Sequence, residues 1–237
     1  MTTSLTPEPQ TMYESLMTLP LFKGVSHERL SEIVGKIPLA FLKYMPGEKV
    51  MDSGDPCTGL KFVLKGSVRL SLRNVNDRLR IQQTLEGPAV ISPDFLFGRD
   101  TNYPSTGTAI DTVSIIQIEK KDFLELLRVD EIVMYNYLNI LSTNAQKSVN
   151  GVLALTAGSL EERIAFWIIA LTQLSGKDIV LQAKHRDLYT LFGVQRSSFI
   201  AALETLKSKG IIEYTPNEIH VLSRRELRSL LIASGRE

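Results

Sequence analysis

The chain has 237 residues, of which 43% are hydrophobic and 22% are charged, as is ordinary for a globular protein with one large or two smaller domains. Its net charge of +1 is too small for a protein that coats nucleic acid by charge alone. With Cys57 as its one cysteine, the chain excludes an intrachain disulfide and any metal or iron-sulfur site built from several cysteines of one chain.

The N-terminal region predicts short helices after an irregular tail. Residues 1–10 contain two prolines and several threonines, which favour a frayed segment. Leu16, Leu19 and Phe22 follow at helical spacing, and Ser26 is placed to cap a further helix. The start has no basic segment followed by an apolar core, and no run of about 18 apolar residues exists. We therefore expect a cytoplasmic protein with no membrane partner.

Residues 40–119 have the composition of a β domain. Short runs rich in β-branched residues alternate with turn signals such as Pro46-Gly47 and Gly87-Pro88, at spacings typical of a barrel or sandwich. The clearest hairpin joins residues 68–73 to residues 78–81, with apolar residues on one face. Its other face carries four arginines, for which a solvated surface is the simpler interpretation and an acidic partner the alternative: Arg69, Arg73, Arg78 and Arg80.

A long helix is predicted from about residue 131 to residue 155, after a short one at residues 122–127. One stripe, which we call the dimer seam, repeats at alternating steps of four and three residues, as in helices that pack side by side: Met134, Leu138, Leu141, Ala145, Ser148, Val152 and Leu155. A second stripe through Val133, Tyr137 and Ile140 is expected to face the β domain. Because burial within one chain hardly accounts for both stripes, we predict a homodimer.

The part that follows is mildly basic and begins at Gly158. Residues 158–237 hold 11 basic and 9 acidic residues, against 16 and 17 in residues 1–157. Ser159 and Glu162 have the spacing of a capping box that opens an aromatic-rich helix. We expect this helix to form the core beneath the next elements.

Residues 184–210 predict two helices joined by a tight turn. Leu188, Leu191 and Phe192 form the apolar stripe of a short first helix, and Gly193 allows the positive φ that ends it. The second helix buries an apolar face of Phe199, Leu203 and Leu206 and runs to Gly210. Two apolar runs then flank Pro216 and Asn217, which indicates a β-hairpin. Together these elements predict a winged helix-turn-helix.

The polar face of the second helix is suited to DNA. Residues 184–210 carry five basic and two acidic residues, a net +3. Side chains and free backbone N–H groups in the first turn of an inserted helix reach phosphates and base edges. The predicted DNA contacts are Gln195, Arg196, Ser197 and Ser198 in that turn, flanked by Lys184, His185, Arg186 and Lys207. A solvated basic surface is the alternative.

The order of these elements resembles the bacterial cyclic-AMP receptor protein / fumarate-nitrate regulator (Crp/Fnr) superfamily over nearly the whole chain. Local marks of the resemblance lie at residues 21–26, 65–70 and 193–203. The resemblance implies an α+β fold: an N-terminal sensor part with a cyclic-nucleotide-binding-like β-roll (jelly roll) at 1–128, a long dimerisation helix at 129–157, and a winged helix-turn-helix at 158–237. It also implies a homodimer that binds double-stranded DNA, contacts RNA polymerase and responds to a signal in the roll.

Departures from the family pattern concern the effector. The family's cassette holds cyclic AMP with a glutamate and an arginine, and Pro93 and Pro104 stand at those two positions here. Neither charge-assisted contact can form, so we expect no cyclic AMP bound in the usual way. The polar candidates for an anionic effector are Ser92, Ser105, Thr106 and Ser148. The iron-sulfur members' N-terminal cysteines are absent, and the side chains available to a haem are Met45, Met51, Met134 and Cys57.

The reader helix keeps part of the family pattern. Arg196 stands at the family's central arginine and suits bidentate binding of a guanine, whereas Ser197 and Ala201 differ from many members. We therefore expect a different target sequence. Lys184 replaces a common capping serine or threonine and is placed to contact a phosphate.

Two other classes of function are weighed against DNA binding. A regulatory protein whose winged helix contacts protein is an alternative, against which the polar turn at Arg196 argues. An enzyme on the β domain needs a metal site or a nucleophile with its base, yet residues 40–119 contain no histidine. We predict no catalytic residues and no metal site.

Overall fold

The structure is a computed structural model that describes residues 9–154, 158–173 and 175–232. Its helices are α1 (Pro9–Met17), α2 (His27–Lys36), α3 (Lys120–Val129), α4 (Glu131–Ala154), α5 (Leu160–Ala170), α6 (His185–Leu191), α7 (Arg196–Ser208) and α8 (Arg224–Ile232). Its strands are β1 (Ala40–Tyr44), β2 (Lys49–Met51), β3 (Gly59–Lys65), β4 (Ser67–Arg73), β5 (Leu79–Glu86), β6 (Ala89–Ile91), β7 (Ser105–Ala109), β8 (Val113–Glu119), β9 (Lys177–Ala183), β10 (Ile212–Thr215) and β11 (Glu218–Val221).

The chain forms two compact units. The first consists of the described parts of Met1–Val68, Glu86–Pro104 and Thr108–Asn144, and the second of those of Arg69–Leu85, Ser105–Gly107 and Ala145–Glu237. The hairpin of β4 and β5 therefore belongs, from Arg69 to Leu85, to the same unit as the C-terminal elements. The helix α4 contributes to both units. The division into parts at 128/129 and 157/158 stays a prediction from the sequence.

The first unit contains an antiparallel sheet with the strand order β1-β8-β3-β6. Its strand β3 is buried from Gly59 to Val63, because both faces of the sheet are covered. On one face, the ring of Phe62 lies 5.9 Å from the ring of Phe22. The opposite face carries Lys61, which is paired across the sheet with Gln117.

The first part of α4 packs in this unit through the second predicted stripe. Val133 and Tyr137 are buried, and the Tyr137 ring meets the Phe123 ring edge to face at 5.0 Å. The Tyr137 hydroxyl donates a hydrogen bond of 2.8 Å to the carbonyl of Pro93. The expectation that this stripe faces the β domain is confirmed for Tyr137.

The second unit has an apolar core to which α5 to α8, β9 to β11 and Ile81 of β5 contribute. Gly158 has φ +93°, which only glycine adopts readily, and the predicted capping box of Ser159 and Glu162 is present at the start of α5. Phe199 and Leu203, on the inner face of α7, are fully buried against this core. The fold predicted for residues 184–221 is thus confirmed.

An extension of the C-terminal sheet was not predicted. In the second unit the strands are hydrogen-bonded in the order β10-β11-β9-β5-β4, all within one sheet. The strand β5 runs antiparallel to β9, and Ile81 of β5 lies opposite Leu181 within the core. The buried side-chain oxygen of Gln83 also accepts a hydrogen bond of 2.8 Å from the backbone N–H of Gln173.

Three local expectations are corrected. Pro9 and Gln10 begin α1 rather than ending a frayed tail, and residues 1–8 lie outside the described part. Leu191 was expected in the buried stripe of α6, yet its side chain is 48% exposed. Phe192, just before the turn at Gly193, is buried in the core instead. Gln195 is the N-cap of α7 rather than a residue of its first turn.

Candidate nucleic-acid interface

The helices α6 and α7 form a helix-turn-helix. The turn between them has Gly193 at φ +64°, and its backbone is closed by a 3.0 Å hydrogen bond from the N–H of Val194 to the carbonyl of Tyr189. The Arg163 guanidinium of α5 donates a hydrogen bond to the Phe192 carbonyl and lies 5.7 Å from the centre of the Phe192 ring. This arginine fixes the end of α6, a role that sequence periodicity could not reveal.

The N-terminal turn of α7 is open to solvent. Arg196, Ser197 and Ser198 are exposed, as is the N-cap Gln195, whose side chain makes no capping hydrogen bond. The turn contains no acidic residue, and within the described ranges no carboxylate lies within 4.0 Å of Arg196. Free N–H groups and the helix dipole favour anions at such a terminus. The structure brings together these four predicted residues.

The start of α6 lies close to this turn. Lys184 is the exposed N-cap of α6 without a side-chain capping bond, and Arg186 is also exposed. His185 differs, because its ring is partly buried at 5.7 Å from the rings of Phe199 and Tyr214. It therefore ties α6 to α7 and to the hairpin of β10 and β11.

The environment of His185 favours the neutral form of its imidazole. Burial lowers the pKa of its imidazole, and the nearby Arg196 cation adds to the lowering, against a backbone hydrogen bond at Thr215 that raises it. Its Nε2 atom is buried and has no hydrogen-bond partner among the described residues. His185 is therefore better suited to packing, as a neutral ring, between the aromatic side chains than to binding a phosphate.

The hairpin turn of β10 and β11 meets the start of α6. The N–H of Ala183 donates to the carbonyl of Asn217 at 3.0 Å, and the N–H of His185 donates to the carbonyl of Pro216 at 3.3 Å. We call this end of the C-terminal sheet the wing end.

Lys207 lies far from the other predicted contacts, because it is eleven residues beyond Arg196, about 16 Å along the helix axis. Its ammonium sits 5.6 Å from the centre of the Tyr214 ring.

The effector candidates lie in both units and differ in burial. Ser92 is buried in the first unit at the left-handed residue before a 3-10 turn that begins with Pro93. Ser105 is buried at the start of β7, with Thr106 beside it, and Ser148 lies on the exposed surface of α4. Of the candidate haem ligands, Met51 and Cys57 are buried, and Met45 and Met134 are exposed.

The first unit contains a buried polar cluster of Lys61, Tyr103 and Cys57 that was not predicted from the sequence. Lys61 is 8% exposed, and its Nζ atom lies 3.2 Å from the Tyr103 hydroxyl and makes no ion pair with any described carboxylate. Burial lowers the pKa of Lys61 and raises that of the neighbouring Cys57. A charged residue on a strand ordinarily indicates a solvated face, so no sequence signal marked it.

The dimer seam is exposed along most of α4. Leu138 and Val152 are 52% and 67% exposed, and Met134 and Ala145 are exposed as well, while Leu141 is half-buried. Leu155 lies outside the described residues. The described part of the chain contains no group of three or more His, Cys, Asp or Glu side chains able to hold a metal ion, and no helix there is long and apolar enough to cross a membrane.

Comparisons with known proteins agree with this architecture. Residues 41–130 match the family model of the cyclic nucleotide-binding domain, and residues 162–230 match that of the Crp-like helix-turn-helix domain. No curated protein matched the sequence. The catabolite activator protein of Thermus thermophilus is similar in structure, with a TM-score of 0.51 and 20% identity over 92% of this chain and 100% of its own.

Two further solved structures are similar at lower scores. DNR from Pseudomonas aeruginosa has a TM-score of 0.45 and 18% identity, over 94% of this chain and 99% of its own. FixK2 from Bradyrhizobium japonicum has a TM-score of 0.44 and 17% identity, over 82% of this chain and 98% of its own. Identities of this size bear on the fold alone.

Proposed function

Because the chain belongs to the Crp/Fnr superfamily of transcription regulators, we propose that it acts as a homodimer that binds specific double-stranded DNA sequences. Each protomer inserts α7 into the major groove, where Arg196 contacts a base edge and Gln195, Ser197 and Ser198 contact neighbouring bases or phosphates. The family resemblance further implies that the protein acts in the cytoplasm, at promoters, and contacts RNA polymerase there.

One observation carries the proposal: the first turn of α7 is exposed, free of described carboxylates, and adjacent to the wing end. Lys184 and Arg186 place two cations beside it, against the single carboxylate of Asp187 in the same helix. Phosphates on either side of a base step would meet these cations while Arg196 enters the groove. His185 is assigned to holding α6, α7 and the hairpin together, and Lys207 to a phosphate contact at the far end of α7.

Dimerisation is proposed through the dimer seam. Exposed apolar side chains of α4 are removed from water when two copies of the helix pack together. A two-fold dimer then presents two α7 helices to successive major grooves, so its target is expected to be a near-palindrome with half-sites about one helical turn apart.

The test uses the purified full chain and sheared genomic DNA of its source organism. We expect a small set of fragments to be retained at physiological salt and to share one near-palindromic sequence. If no fragment is retained above the level of bulk DNA, while the exposed turn of α7 is protected from hydrogen exchange by a protein partner, the helix-turn-helix serves protein contact and the proposal is wrong.

A further inference from the structure

The register of the C-terminal sheet brings the turn between β4 and β5 to the wing end. Leu79, the first residue of β5, lies opposite Ala183, the last residue of β9. Gln182, the residue before it, lies opposite Glu218 of β11. The turn at residues 74–78 therefore sits two strands from the wing turn, about 10 Å away at the usual strand spacing.

The arginines of this hairpin point away from the core. Ile81 of β5 is buried in the core, so Arg80, one residue earlier, lies on the opposite, solvent face. The N–H of Asn74 donates to the carbonyl of Leu79 at 3.0 Å, which places Arg73 opposite Arg80 on that same face.

Two of these guanidinium groups are available for a ligand. Arg80 lies 3.6 Å from the carboxylate of Asp77, whereas Arg73 and Arg78 are exposed and make no ion pair with a described carboxylate. The other acid nearby, Glu218, accepts a hydrogen bond from Gln182. The local charge is therefore positive, with three arginines against two carboxylates.

We propose that the β4–β5 hairpin is a further DNA-contacting element, in which Arg73 and Arg78 bind backbone phosphates that flank the bases read by α7. The inference rests on the proposed function. The partner is DNA because the hairpin continues an edge that already holds the wing turn, Lys184 and the start of α7. Phosphates of one strand recur about every 3.4 Å along the helix axis of DNA, so about 10 Å of sheet edge aligned with that axis passes about three of them.

Guanidinium groups suit this task. Their planar fork can bind a phosphate bidentately, and they stay charged at any physiological pH. Such contacts carry no base information, so they add affinity and salt dependence without changing the preferred sequence. The hairpin arginines are therefore expected to extend the protected length of DNA beyond the base pairs that α7 contacts.

The test measures DNA affinity as a function of salt for the full chain, on the fragment retained by the wild-type protein. R73Q/R78Q should lower the slope of log affinity against log salt by about 0.9 for each phosphate that is no longer neutralised, about 1.8 in all, with the sequence preference unchanged. R73K/R78K keeps both charges and should retain most of the slope. R69Q is the matched control, because Arg69 is exposed on the same strand about 13 Å from Arg73.

The outcomes separate this inference from the proposed function. If the wild-type protein retains no DNA, the proposed function itself is wrong. Wild-type protein that binds specifically, with R73Q/R78Q indistinguishable from R69Q in salt slope and in protected length, overturns only the role of the hairpin. Thermal unfolding of each variant shows that the comparison is between folded proteins, and none should change, because these side chains make no described contact with the core.

Discussion

Arg196 is the residue on which the proposed base recognition depends. It is exposed at the first position of α7, where side chains of an inserted helix reach base edges. Arg196→Ala is expected to cost about 1–3 kcal/mol on the target site and to flatten the preference at one base pair per half-site. Titration of the target and of single-base variants measures both effects. An equal loss on target and random DNA, with preference intact, would contradict the assignment of α7 as the reader helix.

Lys184 gives the contrasting case at the same scale. Its side chain makes no capping bond, so Lys184→Ala leaves α6 intact and removes only a charge. We expect weaker binding to all sequences alike and a salt slope smaller by about 0.9, since one phosphate is no longer neutralised. If the variant changed base preference instead, Lys184 would be a base contact, and the division between the two residues would be wrong.

Lys61 sets a pH-dependent contribution to stability. Its pKa in the folded chain is lowered by burial below its ordinary value of about 10.4, so between these two values the unfolded chain binds more protons. The contribution of Lys61 to stability should therefore rise with pH in this window as the buried ammonium loses its proton, whereas the raised pKa of Cys57 contributes in the opposite direction. Lys61→Met should abolish the rise and increase the free energy of unfolding at neutral pH by about 1 kcal/mol.

Urea unfolding at a series of pH values tests this, with Lys65→Met as the control on the exposed end of the same strand. The control should keep the rise with pH. A Lys61→Met variant that is less stable than the wild type at neutral pH would mean that the amine is held by interactions worth more than its burial costs.

At the scale of elements, α4 carries the proposed dimer contact. Leu138→Glu with Leu141→Glu places charges within the seam, and we expect monomers by light scattering at micromolar concentration, with DNA binding abolished because one monomer reaches only one half-site. Leu124→Glu, at an exposed apolar position of α3, is the control and should leave the dimer intact. A wild-type protein that is itself monomeric under these conditions would refute the dimer.

The contact between α4 and α5 depends on a glycine. A Cβ atom added at Gly151 would lie 2.3 Å from the Cβ of Ala170, so the two helices would have to separate. Gly151→Ala is expected to destabilise the chain by about 1–3 kcal/mol. Gly35→Ala in α2 is the matched control, since nothing lies within 4 Å of its added Cβ, and it should stabilise by about 0.5–1 kcal/mol. Thermal unfolding that ranks the two variants in the opposite order would contradict the close packing.

At the scale of the molecule, signalling should not run through cyclic AMP. Pro93 is buried and its carbonyl accepts the Tyr137 hydroxyl, while the carbonyl of Pro104 accepts a hydrogen bond from Ser53 at 3.3 Å. Neither position offers the charge that a cyclic phosphate or ribose would need. Calorimetry with cyclic AMP should show no micromolar binding, and DNA retention should be the same with and without it. Micromolar or tighter affinity would overturn this expectation.

Local sequence patterns predicted most of the fold, but they did not predict the pairing of strands that are far apart in the sequence. The capping box at Ser159 and the buried face of α7 follow from spacings of three and four residues, which a single sequence displays directly. The pairing of Leu79 with Ala183 joins strands about a hundred residues apart, and no local period encodes such a register. For the same reason Arg73 and Arg78 could be recognised as exposed arginines but not located beside the wing.

The pairing of β5 with β9 has a consequence for exchanging domains between this chain and a relative. A chimera that joined residues 158–232 to the N-terminal part of a relative would look sensible by sequence, yet it would pair β9 with a foreign hairpin. If that hairpin lacked apolar residues at the positions of Leu79 and Ile81, the backbone edge of β9 and the core behind it would be left uncovered and prone to aggregation. We therefore expect a chimera to fold well only if residues 69–85 are transferred together with the helix-turn-helix whose sheet they extend.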